Sequence, residues 1–468
     1  MKTKNLISFL LFAFLTVQIN TQNDLAINYF TKDFSLSELH RKAMPPSEGS
    51  LRKKIKKMTL LIYMSADNDL KRFAARNIEQ LTKIGSNKDL NIVIHLDIRL
   101  KNNRKITRRY YIEKNKIIHV NANDPESQRM DSGNPKTLES CFKWISRDYP
   151  AEEYGIFFWN HGTGIIDLIN GRSINPMHLF TMNRSTDLFE VDRSIEFFDW
   201  AESSRQRGIC WDDSSGNYLT NRQLDNTLSN IRKKYMQNKK FALIAFDACL
   251  MQCIEIMEYM EKHTKIIIGS QEVELGTGYN YALALDPLKS GCTTNEALAA
   301  HIVLAYQDTY QYITKDYTQS AVDLRKINPL LQNINNMASM LIRLLNQKSH
   351  TAFPLIKQSR NRHNCTHFDE PRYIDLDHFY SNLINNISRL KNQGPLTSLL
   401  AQIKRSAEDG RSLIKKAVIA NVAGSQLKNA KGITIYFPED GIHPSYPKSS
   451  FAKNNGWISF LDTYQKRM

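Results

Sequence analysis

Short, nearly unbroken apolar runs alternate with longer amphipathic stretches along this chain. Thr59 to Met64, Asn91 to Asp97, Tyr154 to Trp159, Phe241 to Phe246 and Lys265 to Gly269 have strand length and few polar interruptions. Runs of this kind fill parallel strands that are covered on both faces. Between and after them, apolar residues recur at helical spacing. Helices are predicted from Asp67-Asn68-Asp69, which offer N-cap side chains, through Leu81, and over 138–145, 219–231 and 250–260. Further helices are predicted over 296–312, 327–345, 379–390 and 396–413, with late strands over 416–422 and 432–437. Arg108 to Tyr111 and Lys116 to Val120 read as a hairpin around Glu113-Lys114-Asn115. Strands alternating with helices specify a doubly wound α/β sheet.

The two ends differ from this body. Lys2 and Lys4 precede the apolar stretch Leu6 to Val17, and polar residues follow, which is the pattern of a secretory signal peptide over 1–20. Residues 21–57 contain Pro45-Pro46, Gly49 and the dense basic run Arg52-Lys53-Lys54-Ile55-Lys56-Lys57, and read as a linker or propeptide, with order beginning at Met58. After residue 20 no stretch reaches the roughly 18 apolar residues that a membrane helix needs, so an exported protein, periplasmic or secreted, is expected with no membrane attachment once the signal is removed. The 468 residues divide into an α/β domain over 58–325 and a smaller, largely helical accessory region over 326–468. Sixty-three basic against 47 acidic residues give +16, but the two signs are mixed along the chain, so the excess does not define a nucleic-acid surface. Six cysteines at irregular spacing do not define a disulfide framework.

In open α/β sheets, reactive groups collect at the carboxyl ends of the strands. His161 and Cys249 each follow an apolar strand run by two or three residues, so neighbouring strands would deliver an imidazole and a thiol to one edge. Such a pair makes a thiolate accessible near neutrality, and a helix beginning at Cys249 would favour it further. Gly162 and Gly164 allow a substrate to approach the backbone, and the amides of Gly162 and Cys249 are candidate oxyanion donors. Taken alone, each residue has a plain structural reading, as an inert buried thiol or a turn histidine.

The sequence around these residues resembles the clostripain-like cysteine peptidases, of the caspase, legumain and gingipain clan. Trp159-Asn160-His161-Gly162-Thr163-Gly164 and Phe246-Asp247-Ala248-Cys249-Leu250-Met251 match the two motifs. Ile62 to Leu70, Ser270 to Glu274 with Gly276-Thr277-Gly278, Asp323-Leu324 and Gly432 to Pro438 agree in order. The resemblance implies a caspase-like α/β/α sandwich with a mainly parallel sheet. It implies His161 as general base and Cys249 as nucleophile in a dyad that needs no third carboxylate. It also implies protein or peptide substrates cut after Arg or Lys, with Asp247 at the floor of the pocket for that side chain. Glu272 or Glu274 could add acid to the wall of that pocket, and the spacing does not single out either. Family members mature by cleavage after Arg or Lys, and the 88 positions from His161 to Cys249 hold Arg172, Arg184, Arg193, Arg205 and Arg207, so residues 162–218 read as a processing loop. The Arg52 to Lys57 run is the matching site for propeptide removal.

No cofactor is required by the sequence. Some family members depend on calcium, and Asp67-Asn68-Asp69 offers oxygen ligands, although helix capping accounts for the same residues. His363-Asn364-Cys365-Thr366-His367 lacks the spacing of a structural zinc site, and Cys253 reads as a core thiol. The alternative to an enzyme is an exported binding protein that keeps the scaffold without the chemistry.

Overall fold

The computed structural model describes residues 38, 41–45, 54–100, 104–167, 179–193, 208–291, 293–347, 350–390 and 394–468. The signal-like segment, most of the linker and part of the interval between the two motifs lie outside them.

The apolar runs form the centre of a nine-stranded sheet. β1 (Lys56–Ala66), β2 (Leu90–Arg99), β3 (Lys105–Glu113), β4 (Lys116–His119) and β5 (Ala151–Trp159) come first in the chain. Two small hairpins follow, β6 (Phe180–Asn183) with β7 (Leu188–Val191) and β8 (Ile209–Asp212) with β9 (Asn217–Leu219). The main sheet resumes with β10 (Phe241–Asp247), β11 (Thr264–Gly269) and β12 (Thr318–Asp323). β13 (Tyr373–Asp375) precedes β14 (Val418–Ala423) and β15 (Thr434–Tyr436). The sheet order is β14-β12-β11-β10-β5-β1-β2-β3-β4. β11, β10, β5, β1 and β2 are parallel, and antiparallel strands extend both edges. Every residue of β10 and the last six of β5 are buried, as their unbroken apolar sequence requires.

Helices cover both faces. α1 (Lys71–Ile84) and α2 (Pro135–Asp148) are followed by α3 (Asn221–Tyr235), which opens on a capping box between Thr220 and Gln223. α4 (Ile254–Met260) and α5 (Asn295–Tyr310) complete the layers. The mixed α/β sandwich expected from the sequence is the fold observed.

Two boundaries differ from the sequence reading. β1 starts at Lys56, inside the stretch read as linker, because Lys56 pairs with Ala151 of β5 and its N–H donates to Pro150 O at 3.1 Å; its ammonium also reaches the Asn87 and Leu90 carbonyls at 2.6 and 3.0 Å. Met44 also pairs with β4, through its amide to Ile117 O and its carbonyl to His119 N, both at 2.9 Å. Polar composition hid these contacts, since backbone pairing needs no apolar side chain.

The C-terminal residues give both a helical bundle and a sheet edge. α6 (Asn328–Asn346), α7 (Ala352–Arg360), α8 (Leu376–Arg389), α9 (Thr397–Ala417) and α10 (Trp457–Gln465) pack together, while β14 returns to the main sheet beside β12. β15 instead pairs with β13. Phe437, just after β15, meets Trp457, Phe460 and Tyr464 edge to face with centroids 5.1 to 5.5 Å apart, and the Trp457 indole donates to Tyr436 O at 2.9 Å. Trp457→Ala removes a fully buried ring from this junction and is expected to destabilise the fold by about 3–5 kcal/mol, measured as a lower denaturant midpoint with an unchanged slope.

Candidate functional site

The parallel register places the ends of β1, β5 and β10 side by side: Met64 pairs with Trp159, and Trp159 with Asp247. The loops beyond them are then tied by buried amides. The Asn160 backbone N–H donates to Asp247 O at 3.2 Å, and its side chain donates to Ser65 O at 2.7 Å and accepts from Trp211 N at 2.8 Å. Asn68 repeats the pattern, donating to Ser65 O and Trp211 O. These bonds fix the positions of the next residues on each loop. His161 Nε2 lies 2.8 Å from Asp69 Oδ1, which comes from the β1 loop. Gly162 packs so closely on Cys249 O that a Cβ there would lie 2.3 Å from that oxygen. The structure therefore brings the His161 and Cys249 loops into contact, and adds a carboxylate to the histidine that the sequence reading had assigned only to capping or calcium.

Cys249 is buried, and its sulfur accepts the Glu274 N–H at 3.2 Å. It does not begin a helix. α4 starts five residues later, because Leu250 takes a left-handed conformation (φ 63°) and the chain then bonds sideways, Leu250 N to Glu272 O and Gln252 N to Ser270 O. No helix dipole reaches the sulfur, and burial pushes the thiol well above its ordinary pKa. This is a resting thiol.

Asp247 ends β10 and turns its carboxylate into the cleft beside Cys249. It accepts the Tyr279 amide at 3.1 Å and the Tyr281 hydroxyl at 2.8 Å. Gly278, at φ 57°, lets the 274–280 loop close over it, since a Cβ there would stand 2.2 Å from Asp247 Oδ1. Asn77 of α1 anchors that loop, donating to Thr277 O and Tyr279 O while accepting from the Trp159 indole at 2.9 Å. Glu274 faces the same carboxylate. Burial raises Asp247 to about 7, and burial together with the neighbouring Asp247 carboxylate holds Glu274 well above the usual carboxylate range. Glu274 Oε1 accepts from Gln319 at 3.3 Å, and Oε2 has no partner. The cleft bounded by Leu70, His161, Asp247, Cys249, Glu274 and Gly276 is only about 20 Å³, room for about one water molecule.

The other candidates lie elsewhere. Glu272 turns away from Asp247 to Arg193, at 2.9 Å. Asp67 faces Arg99 and Lys105 at 3.3 and 3.6 Å, Asn68 is held by backbone carbonyls and Asp69 by His161, so the three do not fit one calcium ion. His367 bonds Cys365 O and the Cys365 sulfur points to Asp375 O, which separates the residues of that cluster. Among the described residues no three metal-ligating side chains converge. Cys141, Cys210, Cys249, Cys253 and Cys365 are buried free thiols; Cys292, Arg172, Arg205 and Arg207 fall outside the described residues. Tyr281 is the site residue that the sequence reading did not name; Glu274 was named beside Asp247 but not separated from Glu272, and Asp69 was read as a cap or calcium ligand although it sits at a strand's carboxyl end just as His161 and Cys249 do.

Comparison with known proteins agrees with this geometry. The model of the clostripain family matches residues 62–179 and 197–464. Clostripain of Hathewaya histolytica is 23% identical over 490 aligned positions, covering 92% of this chain and 84% of that protein. A secreted C11 cysteine protease from Bacteroides thetaiotaomicron, solved with an irreversible peptide inhibitor, superposes with a TM-score of 0.55 at 17% identity over 87% of this chain and 99% of its own. An inactive zymogen C11 protease from Parabacteroides distasonis gives 0.51 at 19% identity, over 87% of this chain and 99% of its own. The chain belongs to the clostripain family and is a cysteine endopeptidase.

Proposed function

We propose that this peptidase is exported and cleaves peptide bonds after Arg or Lys, with Cys249 as nucleophile and His161 as its base. The observation that carries the specificity is the pair of buried carboxyls, Asp247 and Glu274, which close the cleft beside Cys249 and, among the described residues, enter no ion pair. Like charges this close retain a proton, and a guanidinium or ammonium inserted between them would replace that proton with a charge-assisted contact. An acidic or apolar side chain has no such gain.

In this reading His161 takes the Cys249 proton as sulfur attacks the scissile carbonyl. The amides of Gly162 and Cys249 receive the oxyanion, and the imidazolium returns its proton to the leaving amine. Water, deprotonated by His161, then releases the acid from the acyl-enzyme. Asp69 orients the ring and stabilises its charged form.

A cleft of about 20 Å³ does not admit an arginine side chain, so activity requires the 274–280 loop to open. Self-cleavage in the interval between the motifs supplies that step. Arg184 stands exposed in the turn between β6 and β7, whereas Arg193 is tied down by Glu272 and Asp316. The N-terminal Lys2 to Val17 pattern supports export, and among the described residues no helix is long and apolar enough to cross a membrane.

Four outcomes check this account. Purified Cys249→Ala is expected to stay at full length with no turnover, while wild type under the same conditions is cut; cutting of the mutant would refute self-processing. Asp247→Asn should lower kcat/KM on Arg peptides by roughly one to two orders of magnitude. Because Asp247 gives up its proton near pH 7, benzamidine should bind wild type more tightly as pH rises from about 6 to 8, a trend that the mutant loses. Asp69→Ala should lower kcat roughly tenfold or more with KM little changed, and parallel losses in both constants would assign Asp69 to substrate binding instead.

A further inference from the structure

A second group of acids lies on the opposite flank of the Cys249 loop from the Asp247 cleft. Glu272 is fully buried; its Oε1 accepts the amides of Val273 and Asp369, and its carbonyl accepts the Leu250 amide next to the nucleophile. Asp316 is buried beside it and accepts the Val191 amide. Asp369 is about 5% exposed, and neither of its carboxylate oxygens has a hydrogen-bond partner. Asp316 and Asp369 line a cavity of about 900 Å³ that also takes in Glu190 and Arg193. Glu272 and Asp369 are close enough to Cys249 that a negative charge on either would hold its thiol protonated.

One guanidinium already sits in this group. Arg193, from the interval between the His161 and Cys249 motifs, donates through Nη2 to Glu272 Oε2 at 2.9 Å and to Asp316 Oδ1 at 3.0 Å. Its side chain is 40% exposed, so it lies at the rim and is open to competition. Arg193 thus bonds two of the three carboxyls and not Asp369, while Arg362 and Arg389 line other parts of the same cavity. Asp369 keeps its proton accordingly, held up to about 9 by burial and by Glu272.

We infer that Glu272, Asp316 and Asp369 form a second cation subsite of the peptidase, which Arg193 fills from within the chain and which takes a second Arg or Lys side chain of the substrate. This rests on the cysteine peptidase reading of Cys249 but not on the role of Asp247. A substrate carrying basic residues both before the scissile bond and a few positions away gains a contact here once it displaces Arg193. The interval thereby weakens selection for such substrates as long as Arg193 stays in place.

The test has two arms. Methylguanidinium at millimolar concentration should raise the Tm of the Arg193→Ala chain, made in the Cys249→Ala background to prevent cleavage, and should leave the Cys249→Ala parent unmoved; no shift in either would count against the subsite. In the second arm, processed wild type, Arg193→Ala and Asp369→Asn are assayed on peptides with Arg before the scissile bond and Arg, Glu or Ala at each of the three positions on either side. At one of these positions the Arg-to-Ala ratio of kcat/KM should rise roughly tenfold in Arg193→Ala relative to wild type and fall in Asp369→Asn. Ratios near one at every position in all three proteins would overturn the proposal. If Arg193→Ala fails to fold, the wild type and Asp369→Asn ratios decide: a lower ratio in the mutant upholds the subsite, and equal ratios reject it. Failure of wild type to cut any Arg peptide would instead contradict the specificity proposed above, and the methylguanidinium arm would still report on the second subsite.

Discussion

The parallel register of β1, β5 and β10 is the constraint on which the site depends. A one-residue slip in a strand turns its side chains to the other face, so pairing Trp159 with Met64 on one side and Asp247 on the other fixes which residues emerge at the edge. Those strands are buried throughout their ends, and moving them out of register would expose Phe157, Phe158 and Phe246 or bury polar loop residues. The bonds of Asn68 and Asn160 to Ser65 and Trp211 carry the register past the sheet into the loops. His161 is thereby held on Asp69, and its loop is packed against that of Cys249.

Electrostatics within this frame are set by burial. Carboxyls in a dry site without a cation hold protons, and Asp247 and Glu274 are both shifted upward. Where a cation is present the arrangement changes: Glu272 and Asp316 converge on Arg193, and Asp67, Asp97 and Asp212 surround Lys105. The Lys105 cluster behind the β1 loop is thus complete within the chain and braces Asp67, two residues from Asp69. The Asp247 and Glu274 pair is the one at the cleft that still lacks its counterion among the described residues. Burial likewise keeps Cys249 a thiol, which matches a closed cleft.

Much of this was legible in the sequence because apolar runs encode buried strands directly. Phe241 to Phe246 and Tyr154 to Trp159 became adjacent strands, and the long helices appeared within a few residues of their expected ends. The misreadings have local causes. Leu250 looked helical because its neighbours are apolar, yet loop 270–272 supplies the hydrogen bonds that a helix would have made, and a strand-like partner far along the chain leaves no periodic mark. β12 passed unnoticed because Gln319 and Ser320 interrupt its apolar pattern, the Gln319 amide nitrogen donating to Glu274, the Ser320 hydroxyl to Gly432 O, and Ser320 O accepting from Gln252. Glu272 and Glu274 could not be told apart by spacing, since alternation sends one toward Arg193 and the other toward Asp247.

The central claim is that buried acids beside a single reactive thiol select a cationic side chain. Covalent capture tests it most directly: the processed enzyme is treated with peptidyl acyloxymethyl ketones that differ only in carrying Arg or Asp next to the reactive group, and the labelled residue is located by mass spectrometry. The account predicts one adduct, on Cys249, formed rapidly by the Arg reagent and negligibly by the Asp reagent. Equal labelling by both reagents, or an adduct on another cysteine, would contradict it.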